Sequence, residues 1–323
     1  MATASRRRSA RSCVRGPRCA TSIHGRRDDA PLAEVDVTDT WLDSLRKVLP
    51  ARFRGDRVTI PVVRLNGVIG QVSPIRPGLS LAGLSATLKR AFAIKKAPLV
   101  AVVINSPGGS PVQSNLIFKR IRALADEKNK DVLVFVEDVA ASGGYLIALA
   151  GDEIIVDESS IVGSIGVVSA GFGFVGLIEK LGIERRVHTA GENKAMLDPF
   201  QPERVDDIQH LKSLQRDVHD MFIDLVRARR GTRLGDEPTL FTGAFWSGRR
   251  AVEIGLADRI GDLHGVLRAR FGDKVDLLPI QPRRGFFSRF GMSPASRAGA
   301  GADFVEAGLA AIEERSLWSR FGL

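Results

Sequence analysis

The spacing of hydrophobic positions changes several times along the chain, and each change predicts a different element. Alternation over 57–70 predicts a strand, which we expect Pro61 to break and Gly67 to end. Apolar residues at helical spacing over 80–96 predict a helix. The run 99–105, rich in β-branched residues, is typical of a strand that is buried on both faces of a parallel sheet.

The pattern of strand, turn and helix then repeats. The turn 106–110 leads into a predicted helix that ends near residue 125. Strand 132–136, turn 137–144 and a helix to about residue 150 repeat the unit, and "EIIVD" is a third strand. Successive units of this kind imply right-handed crossovers and a mostly parallel sheet, so the predicted fold class is α/β. Functional groups in such sheets gather where strands end and helices begin.

Residues 161–178 carry no charge over eighteen positions, which is the shortest length that spans a bilayer. Five glycines and two serines interrupt the run, so we interpret it as a buried strand, a glycine-rich turn and a short helix. A long helix is predicted from Glu203 to Arg230, with Gly231 as its stop. The stretch 241–272 predicts a short strand, a helix, a tight turn and another helix.

These patterns divide the chain into four parts. Residues 1–30 form a basic tail of disordered or targeting-like composition, and 31–57 a helical segment or linker. Residues 58–280 form the α/β domain, and 281–323 a C-terminal tail with an amphipathic helix. The tail contains the segment "RRGFFSRFG", for which, together with Trp318 and Phe321, we expect an oligomer contact or a packing helix rather than contact with a membrane surface.

Charge is concentrated at the start of the chain. The net charge is +10, but residues 1–27 hold eight arginines and no acid, leaving 39 basic against 37 acidic residues elsewhere. A nearly neutral body argues against a nucleic-acid partner. The first residues lack the apolar core of a secretory signal, and no membrane anchor is seen, so we expect a cytoplasmic location with peripheral membrane contact at most.

Metal and thiol chemistry are not indicated. The two cysteines, Cys13 and Cys19, lie outside any core-like segment. The five histidines have no ligand-type spacing, and solvated or structural roles explain them. The sequence therefore predicts neither a metal nor another cofactor.

Ser142, in "EDVAASGGY", follows an apolar strand and precedes a helix. Serine at such a position is commonly a helix cap. It is also where a nucleophile would be fixed, because the free N–H groups of a helix N-terminus favour negative charge and the following glycines allow close approach. The neighbouring "NSPGG" turn offers similar donors. On these residues alone, cap and nucleophile both remain open.

A serine nucleophile needs a base. No GxSxG motif is present, and a Ser-His-Asp triad is poorly supported because no acid near His188 in the sequence stands out as its orienting partner. Lysine serves as a base when burial lowers its pKa towards neutrality, and Lys194 lies in a partly apolar loop. A loop lysine is more often simply solvated, so this assignment also stays open.

Three motifs in order, "VINSPGG", "EDVAASGGYLIALAGDEIIVDESSIVGSIGV" and "GENKAMLDPF", resemble the signal peptide peptidase A family of serine peptidases, which has the ClpP/crotonase fold. The resemblance covers about residues 58–272. It implies that Ser142 is the nucleophile and Lys194 the base, with Ser164 orienting the lysine. It further implies an oxyanion hole made by the N–H of Gly109, to which that of Gly143 adds.

The expected function is therefore a serine endopeptidase acting on apolar or unfolded peptides through an acyl-enzyme. A crotonase-type acyl-CoA enzyme and a non-catalytic scaffold on the same fold are the alternatives. Family members assemble into rings or domes, so the resemblance also implies a homo-oligomer. Known members carry an N-terminal membrane anchor that we do not see here, which leaves cleavage within the bilayer in doubt.

Overall fold

The computed structural model describes residues 57–70, 78–281, 311–312 and 314–323. The predicted tail 1–30 and all but the last residue of the segment 31–57 lie outside the described residues. Residues 311–312 and 314–319 are helical, within the stretch for which an amphipathic helix is predicted.

One mixed sheet organises the domain. Its strands are β1 (Thr59–Asn66), β2 (Leu99–Ser106), β3 (Asp131–Ala141), β4 (Glu153–Val156), β5 (Ile161–Gly163), β6 (Phe245–Ser247), β7 (Arg259–Ile260) and β8 (Asp276–Pro279). The main order is β6-β5-β3-β2-β1-β8, and β4 and β7 continue from β3 as a branch. Every pair is parallel except β5 with β6, which confirms the α/β class with a mostly parallel sheet.

Seven α-helices connect or cover these strands within the described residues before the C-terminal segment. They are α1 (Leu81–Phe92), α2 (Pro111–Lys128), α3 (Gly143–Ala148), α4 (Val175–Lys180), α5 (Val205–Arg230), α6 (Gly248–Glu253) and α7 (Leu263–Phe271). The long helix predicted to stop at Gly231 is confirmed as α5, and Gly231 has a φ of 53° there. The described residues contain no helix that is both long and apolar enough to cross a membrane.

Strand β2 is buried on both faces, as predicted. Val100, Val102 and Ile104 pack into the larger core cluster with α1, α2 and α3. Ala101 and Val103 point to the opposite face, into a second cluster that includes α7. Continuous apolar sequence follows directly from this two-sided burial.

The prediction that Pro61 breaks the first strand is wrong. β1 runs unbroken through Pro61, which is paired with Leu278 of β8. Its register with β2 begins only at Val62, so the missing N–H of proline removes no bond from that ladder.

The predicted turn over 137–144 is also wrong in its first part. β3 continues to Ala141 because the strand changes partners along its length. Its first half lies between β2 and β4, while Val139 to Ala141 pair with β5. A shift in register against β2 between Ile104 and Ser106 accompanies the change. Only the end of the predicted turn, at Ser142, leaves the sheet.

Residues 161–178 form the predicted strand, turn and short helix, as β5, an irregular stretch and α4. None of the residues of α4 is buried, however. Phe172 is 81% exposed and Leu181 63% exposed, so apolar side chains around this helix face solvent. The absence of charge over 161–178 therefore has two origins, the buried strand β5 and the apolar surface around α4 that faces solvent.

The C-terminal segment packs on the sheet near the end of β3. The ring of Phe321 lies edge-on to Phe245, with ring centroids 5.1 Å apart. Phe321 joins Val139 and Ala141 in a small buried cluster, against which Trp318 packs. The residues behind Ser142 are thus covered from the face opposite α3.

The end of α5 holds the end of α3. Arg229 donates to the carbonyl oxygens of Leu149, at 2.8 Å, and Gly151, at 2.9 Å, which satisfies acceptors just beyond the last turn of α3. Tyr145 of α3 donates to the carbonyl oxygen of Leu256 at 2.8 Å, and burial raises the pKa of its hydroxyl. The short helix that follows Ser142 is therefore anchored by hydrogen bonds as well as by packing.

Arg230, next along α5, has only 2% of its side chain exposed and pairs with Asp258 at 2.9 Å. Asp258 also accepts from Arg233 at 3.0 Å and from the backbone N–H of Ile154 at 2.7 Å. Burial alone would raise the pKa of Asp258, but the bonds from Arg230 and Ile154 outweigh it and the pKa lies below its usual value.

We expect Asp258→Asn to lower the free energy of unfolding by about 3 kcal/mol at neutral pH, because it leaves the buried charge of Arg230 uncompensated. The depressed pKa means that the wild-type contribution is full above the unfolded pKa of about 3.9 and is lost as pH falls through the lower folded value. Urea unfolding as a function of pH measures both effects. Asp126→Asn, at a carboxylate that is 70% exposed, should change stability by at most about 0.5 kcal/mol. Equal losses in the two variants would contradict this account.

Candidate active site

Ser142 lies at the junction between β3 and α3, and its side chain is half-buried. Its backbone has a φ of 50° and a ψ of −118°, a region that is strained for a residue with a Cβ. The side chain makes no capping hydrogen bond to α3. A capping role therefore does not explain this serine, and its hydroxyl is left available.

Two backbone bonds fix the strained turn. The N–H of Ser142 donates to the carbonyl oxygen of Gly163 at 2.8 Å, which ties the turn to the end of β5. The carbonyl oxygen of Ser142 accepts from the N–H of Leu146 at 2.9 Å and begins α3. The sheet and the helix thus each hold one side of the residue.

The turn after β2 approaches this junction so closely that glycine is required. A Cβ on Gly144 would lie 2.6 Å from the carbonyl oxygen of Ser106. A Cβ on Gly109, whose φ is 137°, would lie 2.1 Å from the carbonyl oxygen of Ile69. The "NSPGG" and "ASGGY" turns, far apart in sequence, are therefore in direct contact.

The N–H groups of Gly109 and Gly143 have no hydrogen-bond partner in the part of the chain that the structure describes. They are close neighbours, because a Cβ built on Gly143 would lie 3.4 Å from the nitrogen of Gly109. Two free donors beside a free serine hydroxyl form an arrangement suited to an oxyanion.

A small cleft of about 20 Å³ opens at Ser142. Gly109, Gly143 and Pro111 line it on the side of the turns. The rest of its wall is mainly apolar and comprises Leu146, Gly166, Val167, Val218, Met221 and Phe222. An apolar side chain beside the scissile bond would fit this wall.

Ser164 is only 7% exposed and lies next to Gly163, the residue that binds the backbone of Ser142. Its φ is 54°, and its N–H donates to the carbonyl oxygen of Ala244 at 2.7 Å. The following residue, Ile165, is bound through its carbonyl oxygen to Nε2 of His219 on α5 at 3.1 Å. Because a carbonyl only accepts, this nitrogen donates, and His219 has the structural role expected of the histidines.

Lys194 is not brought to Ser142. Its side chain is exposed, not buried as a neutral base would require. It is absent from the cleft lining, and within the described residues it forms no hydrogen bond to Ser142 or Ser164. The structure brings Ser142, Ser164, Gly109 and Gly143 together and leaves Lys194 apart from them.

The loop of Lys194 is nevertheless ordered by polar contacts. Asp198 accepts from the N–H of Phe200 at 3.1 Å and from Nε of Arg185 at 3.0 Å, and the first of these bonds is the main reason why its pKa is lowered. The guanidinium of Arg185 also lies 4.8 Å from the centre of the Phe200 ring. Buried Asp207 on α5 accepts from the N–H of Leu197 at 3.3 Å.

Sequence reasoning missed the contribution of α5 to the site. Val218, Met221 and Phe222 line the cleft although they lie far from every motif in the sequence. The only available signal was the amphipathic pattern of the helix, which indicates a buried face without indicating what that face meets.

The sequence of the domain is similar to those of known peptidases. A family model described as "Peptidase family S49" matches residues 125–273. The serine protease SPPA, chloroplastic, of Arabidopsis thaliana is 31% identical over 217 residues, which cover 65% of this chain and 31% of that protein. The putative signal peptide peptidase SppA of Enterococcus faecium is 32% identical over 164 residues, covering 50% and 47% respectively.

A higher identity is found with a protein of a different name. The Na(+)/H(+) antiporter NhaA of Brucella abortus is 56% identical over 287 residues, which cover 86% of this chain but 39% of that protein. The chain thus spans less than half the length of each of these three relatives. Among solved structures, the 1510-N membrane-bound stomatin-specific protease matches 70% of this chain and 99% of its own with 14% identity and a TM-score of 0.43, a weak likeness.

The strained backbone at Ser142 generates a stability prediction. The free energy of unfolding of Ser142→Gly should exceed that of Ser142→Ala by about 1 kcal/mol, because only glycine adopts this backbone conformation without strain. At Ser213, in the middle of α5, the order should reverse by a similar amount, about 1 kcal/mol, since glycine is the poorer helix former. Denaturant unfolding of the four variants makes the comparison. The same order at both positions would contradict strain at Ser142.

Proposed function

Because residues 125–273 match peptidase family S49, we propose that the chain is a serine endopeptidase that cleaves apolar or unfolded peptides. The observation that carries this proposal is the uncapped hydroxyl of Ser142 beside the free N–H groups of Gly109 and Gly143. The apolar cleft at this serine supports an apolar peptide as substrate.

In the proposed reaction, the Ser142 hydroxyl oxygen attacks the carbonyl carbon of the scissile peptide bond. Lys194 accepts the hydroxyl proton and returns it to the leaving amine, so that an ester between Ser142 and the peptide remains. The N–H groups of Gly109 and Gly143 donate to the oxyanion of the tetrahedral intermediate. Water then hydrolyses the ester and releases the second product.

This mechanism requires Lys194 to approach Ser142 and to be shielded from water. We propose that assembly into a homo-oligomer supplies both requirements. The support is the exposed apolar surface around α4, where Phe172 and Leu181 are largely uncovered. The ring of Phe172 lies 6.4 Å from that of Phe174, which lies 5.4 Å from the ring of Phe200 in the loop of Lys194. Exposed apolar patches of this kind commonly mark protein contacts.

The two alternatives make different demands. A crotonase-type enzyme would bind CoA thioesters and would not need Ser142 or Lys194. A scaffold would bind peptides without forming an ester. The family match and the uncapped serine support the peptidase over both alternatives. The name of the Brucella relative does not change this, because it describes a protein of which this chain covers only 39%.

Labelling with a serine-reactive alkyl phosphonate tests the chemistry directly. The wild type should be labelled at Ser142, and Ser142→Ala should not be labelled. Lys194→Ala should be labelled at least about 100-fold more slowly, because the hydroxyl then lacks its base. Mass spectrometry of the intact chain and of its peptides measures rate and position.

The matched control is Lys95→Ala, at an exposed lysine after the end of α1, which should be labelled at the wild-type rate. Labelling of Lys194→Ala at that same rate would show that Lys194 is not the base. Peptide cleavage at the wild-type rate by Ser142→Ala would overturn the proposed function itself.

The assembly has its own test. Phe172→Ser with Leu181→Ser should lower the mass measured in solution and reduce the labelling rate at least about tenfold, because the exposed apolar surface no longer associates. Leu116→Ser, at a residue that is 39% exposed on α2, should change neither quantity. A wild-type monomer with full activity would exclude assembly as a requirement.

A further inference from the structure

A second and more open recess, of about 180 Å³, adjoins the cleft of Ser142. It is lined by Val167 together with four residues of α5: Lys212, Gln215, Arg216 and His219. Val167 also lines the cleft, so the two cavities meet at this residue. A peptide lying across Ser142 could therefore extend into the recess without a change in the fold.

The charge of the recess is unusual for this body, which is nearly neutral. Lys212 and Arg216 are exposed, lie one helical turn apart, and form no ion pair or hydrogen bond within the residues that the structure describes. The neighbouring Asp217 and Asp220 are not within ion-pair distance of them either. Most of the other arginines in the described residues are paired with a carboxylate, as Arg229, Arg230 and Arg233 show.

The remaining lining residues restrict what could bind. The amide of Gln215 is half-buried and has no hydrogen bond within the described part of the chain, so it provides a further donor. His219 is already committed through Nε2 to Ile165, which fixes the floor of the recess. Val167 offers an apolar contact, and the positively charged Lys212 and Arg216 offer hydrogen-bond donors beside it. Together they suit a carboxylate carried on a short aliphatic chain.

We propose that this recess binds a carboxylate of the peptide substrate and so makes the enzyme selective for substrates with a negative charge close to the scissile bond. The inference rests on the proposed peptidase function. The carboxylate belongs either to an acidic side chain near the bond that is cut or to the C-terminus of the peptide.

The test uses quenched fluorescent peptides that share one apolar core. In amidated peptides, Glu replaces Gln at each position in turn on both sides of the cleaved bond. A further pair carries either a free or an amidated C-terminus. We expect the carboxylate to raise kcat/KM about three- to tenfold at one position in low salt, and this preference to shrink as added salt screens the charges.

The double variant Lys212→Gln, Arg216→Gln should bring the ratio of carboxylate to amide substrate close to one. The matched control is Lys95→Gln with Lys96→Gln, which removes the same charge between the end of α1 and the start of β2. It should keep the wild-type ratio of carboxylate to amide substrate. A ratio near one in the wild type, or one that survives the first double variant, would overturn the inference.

A binding measurement separates this inference from the proposed function. In the Ser142→Ala background, a fluorescent Glu peptide should bind at least about threefold more tightly than its Gln twin, and the Lys212→Gln, Arg216→Gln changes should remove the difference. Cleavage of the neutral peptide without any carboxylate preference would leave the peptidase intact and reject the recess. Absence of cleavage with a preserved binding difference would reject the peptidase and retain the recess.

Discussion

The hydrogen bond from the N–H of Ser142 to the carbonyl oxygen of Gly163 is the contact on which the candidate site depends. It holds the end of β3 against β5 after β3 has left its register with β2. Without that change of partner, the strand would end earlier and Ser142 would lie in an ordinary turn. With it, the chain must bend abruptly into α3, and the strained backbone of Ser142 is the result. The strain at Ser142 thus follows from the way in which β4 and β5 pair with successive parts of β3.

The sequence predicted the parts of the fold that depend on local pattern. The two-sided burial of β2 and the length of α5 follow from apolar spacing, and both are present. The extension of β3 to Ala141 could not be predicted, because its last residues are stabilised by β5, a partner distant in the chain. The effect of Pro61 on β1 could not be predicted for a similar reason. A proline breaks a strand only where its missing N–H would have paired, and the register of β1 with β2 begins after it, at Val62. The short β8 was not anticipated at all, although it borders β1.

The candidate site also has a part that the sequence predicted and a part that it could not predict. The backbone around Ser142, Gly109 and Gly143 depends on glycines and on turns within one sheet edge, and motif positions predicted their meeting. Lys194 belongs to a segment whose contacts are mostly within itself, through Asp198, Arg185 and Phe200. No pattern in the sequence states how such a segment lies against the sheet. The meeting of the Gly109 and Gly143 N–H groups is therefore a property of the folded sheet edge, while the position of Lys194 depends on contacts outside this edge.

Helix α5 takes part in both the cleft and the support of α3. Its 26 residues form one continuous rod of about 39 Å. Met221 faces the cleft, and Arg229, about 12 Å further along the same axis, holds the carbonyl groups just beyond α3. One helix therefore supplies part of the wall against which a substrate would lie and also the donors that anchor the far end of the short helix that begins at Ser142.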